Sequence, residues 1–174
     1  GLYYIDTTYG QAIRDGLRRA AGNTDMEIVE EAAIGFGETA DTQVTRLREA
    51  DPDVIVPTAF TNQMLELVSS MQNQDYWPKL LAASASGGMN SETYADMGSV
   101  IDGELSEGYA MDPASDRIEE INGRYAETYE TAPMTANVSM AFTTGELLVE
   151  AFEQAQSTEP DTLNRTIADI EFTD

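Results

Sequence analysis

The chain has 174 residues, 41% of them apolar, with 32 acidic side chains against 9 basic ones and a net charge of −23. That length holds one domain, or one plus part of a second, and the apolar share builds a core rather than a disordered chain. The negative field repels nucleic acid and anionic lipid, while the lack of histidine and cysteine removes Ser-His-Asp arrangements, thiolate chemistry, structural zinc and disulfides.

Leu2-Tyr3-Tyr4-Ile5 reads as a first strand, followed by Asp6-Thr7-Thr8-Tyr9-Gly10. Ile13, Leu17 and Ala20-Ala21 then recur at helical spacing, with Arg14, Arg18 and Arg19 predicted outward and Gly22-Asn23 as the stop. Residues 26–34 read as a second strand and Gly35-Phe36-Gly37 as a loop. Thr39 to Asp41 is expected to cap a helix carrying Val44 and Leu47, ended by the turn Asp51-Pro52-Asp53. Val54-Ile55-Val56 has the continuous apolar character of a buried parallel strand. A helix over 62–72 is predicted to bury Leu65, Val68 and Met71. Leu80-Leu81-Ala82-Ala83 is the fourth strand, ending in the small-residue loop Ser84-Ala85-Ser86-Gly87-Gly88, and a short helix at 91–97 leads to a fifth strand at 104–110.

Strands alternating with helices imply an α/β fold, a doubly wound parallel five-stranded sheet. After Met111 the pattern becomes purely helical: 116–129, 135–156 and 161–170. The middle helix is expected to bury Phe142, Leu148, Ala151, Phe152 and Ala155. The predicted division is therefore 1–111, a complete α/β lobe, and 112–174, helices that lack a sheet of their own. No run of about 18 apolar residues is present, so no membrane insertion is expected within the chain.

The acids are dispersed, and Lys79 is the one lysine among the basic residues. Molar salt shortens the Debye length to about 3 Å and screens such self-repulsion, so this composition points to adaptation to salt. Glu30-Glu31 and Glu119-Glu120 read as solvated surface rather than cation sites. Gly87-Gly88 matches no phosphate-loop pattern, Lys79 reads as a surface residue at a strand entry, and Met64, Met71 and Met89 read as core. No cofactor or metal is implied.

Ligands of open parallel sheets bind beyond the carboxyl ends of the strands. Three segments fall there: Asp6-Thr7-Thr8-Tyr9, Thr58-Ala59-Phe60-Thr61 and Ser84-Ala85-Ser86. The candidate ligand contacts are Tyr9, Phe60 and Ser84, flanked by Thr8, Ala59 and Ala85. Aromatic rings, hydroxyls and backbone N–H groups suit a small polar solute. The same rings and serines also serve a fold by packing over the sheet edge and capping helices.

The run Tyr3-Tyr4-Ile5-Asp6-Thr7-Thr8-Tyr9-Gly10 with its Gly16-containing helix resembles the start of the second lobe of branched-chain-amino-acid-type (type I) periplasmic binding proteins. Gly37-Glu38-Thr39-Ala40-Asp41-Thr42 through Leu47 to Asp51-Pro52-Asp53-Val54-Ile55 is similar to that family's loop, helix and strand entry. Met97-Gly98 through Gly103 to Glu107-Gly108 resembles the last strand of that lobe, and the helices 141–156 and 163–170, joined by Ser157-Thr158-Glu159-Pro160, resemble the return to the first lobe.

The resemblance implies two lobes around a hinged cleft and a solute passed to the permease of an ABC transporter. It also implies an extracytoplasmic protein, lipid-anchored through an N-terminus not in this chain, with the rest of the first lobe lying before Gly1 and after Asp174. Tyr9 and Phe60 fall on the family's two lobe-two aromatics, and Ser84 falls near its ammonium-binding carboxylate. Phe60 lacks a hydroxyl and Ser84 lacks a carboxylate, so amides, urea-like and aromatic-acid solutes stand open beside an amino acid. A sensory domain of the same fold is the alternative, and a flavodoxin-like enzyme or regulator comes third.

Overall fold

The computed structural model describes residues 1–83, 96–106, 115–130 and 136–170. Contacts divide the chain into two compact units, Gly1–Gly108 and Tyr109–Asp174. The boundary expected at Met111-Asp112 lies outside the described residues.

In the first unit, strands β1 (Leu2–Ile5), β2 (Glu31–Ile34), β3 (Val54–Thr58), β4 (Leu80–Ala83) and β5 (Leu105–Ser106) form one parallel sheet in the order β2-β1-β3-β4-β5. β5 is a two-residue edge strand, and most of the predicted 104–110 run lies outside the described residues. Helices α1 (Thr8–Ala21), α2 (Asp41–Ala50) and α3 (Thr61–Asn73) connect the strands. Right-handed crossovers put α1 on one face of the sheet and α2 with α3 on the other, and α2 does pack against α3. The sheet is therefore doubly wound. All four residues of β1 are buried, as a central strand covered on both faces requires.

Tyr3, Ile5, Ile34, Val44, Leu47, Ile55, Met64, Leu67 and Met71 make the core. Pro57 shapes the sheet. The backbone N–H of Val56 points to β1, donating to Gly1 O, so the N–H that Pro57 lacks would point to β4. The β3–β4 ladder accordingly holds only Val54–Leu80 and Ile55–Leu81, and on the other edge of β4 Ala82 and Ala83 pair with β5.

Several expectations are corrected here. Residues 26–30 are not strand: the register begins with Leu2 opposite Glu31, the bond from Leu2 N to Glu30 O at 2.8 Å closes the ladder at that end, and Met26 and Val29 are exposed. Arg14 is not outward; its guanidinium lies 5.3 Å from the Tyr4 ring centroid and donates to Tyr4 Oη at 3.2 Å. The α2 N-cap is Ala40, whose methyl cannot accept a hydrogen bond, and the Asp41 carboxylate accepts from Ser70 Oγ on α3 at 2.7 Å. On α3 the buried apolar positions are Met64, Leu67, Val68 and Met71, and Leu65 is half-buried. Glu30 and Glu31 are ion-paired to Arg46 and Arg18 rather than simply solvated.

The second unit contains α4 (Asp116–Tyr129), α5 (Ala136–Ala155) and α6 (Pro160–Asp169), with α5 packed on α6. Of the five α5 residues expected to be buried, only Ala151 is; Leu148 and Phe152 are exposed and Phe142 and Ala155 half-buried. Among the described residues this unit has no strand for those side chains to pack on. Arg117 pairs with Glu146 beside an open hollow of about 620 Å³ lined in part by Phe142 and Val149.

Candidate ligand-binding site

β1 and β3 are neighbours, yet the chain leaves β1 toward β2 on one side and β3 toward β4 on the other. This is the topological switch point, where connecting loops part and open a crevice at the carboxyl ends of the strands. Two turns are fixed at its rim. After β1, Asp6 N donates to Ile34 O at 2.7 Å, and Thr7 Oγ1 accepts from Gly10 N at 3.3 Å as the N-cap of α1. Asp6 in turn accepts from Gln11 Nε2 at 2.9 Å. After β3, Phe60 is the N-cap of α3 and accepts from Met64 N at 3.0 Å. The buried Tyr3 hydroxyl donates to Gln63 O at 2.9 Å, tying the first turn of α3 to β1, and burial holds that phenol well above its usual pKa.

These turns place Tyr9 and Phe60 side by side. Their ring centroids are 5.7 Å apart with planes 13° from parallel, and the side chains are 41% and 39% exposed. Offset-stacked rings that leave apolar area open at a crevice are ready to contact a solute. Thr8 is exposed beside Tyr9. Ala59 is buried with its methyl in the core, so what it offers the rim is backbone. Ser84 and Ala85 lie outside the described residues.

Sequence reasoning missed Phe36. In the loop after β2 it stacks on the other partner position of Phe60, at 6.0 Å and 10°, and is 67% exposed. A signal was present: an aromatic between two glycines follows a strand of the same parallel sheet, as Tyr9 and Phe60 do. Two side-chain oxygens close to this edge, Thr58 Oγ1 at the end of β3 and Gln63 Oε1 in the first turn of α3, are buried without a hydrogen-bond partner among the described residues. Lys79, by contrast, is an exposed surface residue paired with Asp53 at the start of β4.

The family model described as "Periplasmic binding protein" matches residues 1–174. The chain belongs to the periplasmic binding protein family. Solved structures agree in fold. A fatty acid ABC transporter substrate-binding protein from Thermomonospora curvata superposes with a TM-score of 0.83 at 19% identity, covering 96% of this chain and 44% of that one. A type 1 periplasmic binding protein from Bordetella pertussis gives 0.83 at 21%, covering 98% and 50%. A leucine-binding protein from Thermotoga maritima gives 0.79 at 15%, covering 95% and 47%. No curated protein matches by sequence.

This member of the periplasmic binding protein family thus spans about half the length of the solved structures it resembles. The family is one of periplasmic binding proteins, which favours a binder over an enzyme. No helix among the described residues is long and apolar enough to cross a membrane.

Proposed function

We propose that the protein is the solute-binding component of an ABC importer, holding a small polar solute (an amino acid, amide or related molecule) between two hinged lobes and passing it to the permease. The stacked pair Tyr9–Phe60 at the switch point supports this most directly, because exposed rings there have no core to serve. In this account Thr8 and Ser84 contribute hydroxyls, and Ala59 and Ala85 contribute backbone groups. The protein works outside the cytoplasmic membrane, tethered by a lipid anchor.

Mass spectrometry of solutes that co-purify with the protein names the ligand, and calorimetry then tests the site. Tyr9→Ala and Phe60→Ala each remove an apolar face, and Tyr9→Ala also removes a hydroxyl, so each variant is expected to bind at least roughly tenfold more weakly. Lys79→Ala is expected to stay within about twofold. Unchanged affinity in both aromatic variants places the ligand elsewhere.

A further inference from the structure

Phe36 has no role in folding that the structure shows. It is the most exposed of the three stacked aromatics and stands outside the core cluster. Its loop is nevertheless built. Gly35 N donates to Glu38 Oε2 at 2.9 Å, a Cβ on Gly35 would meet that carboxyl at 2.9 Å, and Gly37 adopts φ +74°, a conformation favouring glycine. The loop therefore presents Phe36 to Phe60 in a set geometry, and the loops after β1, β3 and β2 bring three rings into one aromatic wall with Phe60 in the middle. Three partly exposed rings offer a small solute a large aromatic contact area.

The charge beside the wall has one sign. In the three loops, residues 6–10, 35–41 and 59–63, the ionisable groups are Asp6, Glu38 and Asp41, with no lysine or arginine. The nearest cation along α1, Arg14, is engaged by Asp15 and Tyr4. Ring faces carry negative quadrupole charge, so rings and carboxylates together favour positive charge and resist a carboxylate.

We infer that Phe36 is a specificity-determining residue, and that this site takes a solute with a planar or apolar body and a neutral or cationic head. This deepens, and rests on, the solute-binding role of the Tyr9–Phe60 edge. Aromatic carboxylates and small acidic amino acids are the solutes it excludes.

Benzamidinium, benzamide and benzoate share one body and differ in charge, and serve as probes in saturation-transfer NMR and calorimetry. About 1 M KCl screens the long-range field of the chain, leaving the local groups to decide. Benzamidinium and benzamide are expected to bind, with benzoate at least about tenfold weaker. Phe36→Ala is expected to weaken the first two roughly three- to tenfold, while Phe36→Tyr, which keeps the ring, restores them. Benzoate binding as well as benzamide overturns the charge preference. Failure of every probe overturns the planar-body assignment. If Tyr9→Ala loses binding and Phe36→Ala does not, the edge is the site but the third ring is no part of it. If neither variant changes binding, the solute-binding edge itself is misplaced.

Discussion

Glu104 lies at the entry to β5, 9% exposed, and neither of its carboxyl oxygens meets a donor among the described residues. Burial pushes its pKa up to about 7. A group raised in this way binds a proton in the folded state that the unfolded chain has already released. Stability from this residue is therefore present at low pH, declines as pH rises from the ordinary carboxylate range toward 7, and is level above it. Glu104→Gln keeps the shape and removes the charge, so it is expected to raise the melting temperature at pH 8 and to flatten its dependence between pH 5 and 7. The gain at pH 8 is on the order of 1–3 kcal/mol. A variant whose pH profile runs parallel to the parent's means the carboxylate is solvated after all. Arg14 shows the opposite adjustment: its cation is not released to solvent but used over the Tyr4 ring.

Among the elements, the seating of α1 on β1 is the tightest joint. A Cβ at Gly10 would lie 2.0 Å from the Ile5 carbonyl oxygen, a backbone atom that cannot swing away. Gly10→Ala must lift the first turn of α1 off the end of β1, at about 1–3 kcal/mol or more, and carry Tyr9 with it. Lower thermal stability and weaker solute binding together are the expected result; a loss of stability alone would separate the joint from the site. Strands β1 and β4 are legible in sequence because each is a compact apolar run that ends in polar or small residues, Asp6-Thr7 after the first and Ser84-Ala85-Ser86 after the second. The predicted strand over 26–34 ran too long because apolar Met26 and Val29 look like strand residues, and only pairing partners decide where a ladder starts. The burial expected for Leu148 and Phe152 was read from helical periodicity, which says that a face wants cover but not whether cover is present. That Tyr9 and Phe60 meet at one edge is legible from parallel strands whose carboxyl ends lie together, and the rings do stack there. Phe36 is not legible as a contact because Gly35-Phe36-Gly37 reads only as a loop, and its stacking on Phe60 depends on where that loop lies in space.

For the whole molecule the dominant fact is a charge of −23, which remains after all nine cations, ion-paired or not, have been counted. We propose that the protein is adapted to salt. Raising KCl from about 0.1 to 2 M is expected to lift the melting temperature substantially, since the Debye length falls from about 10 Å to 3 Å or less and repulsion between dispersed carboxylates collapses. A melting curve indifferent to that range would leave the acidity without this explanation. The sheet order carries a different consequence, one of timing. Of the strands in this sheet β1 comes first in sequence but sits between β2 and β3, with Leu2 in register with both Glu31 and Val56. A ribosome that has delivered β1 and α1 has therefore delivered a strand with two open edges and apolar side chains on both faces. Within this sheet no hairpin shields it, because its parallel partners follow only after intervening helices. Folding of this unit waits on a long loop closure, a slow step by topology rather than by any single residue. Until β3 emerges, the chain's most buried strand is its most vulnerable one.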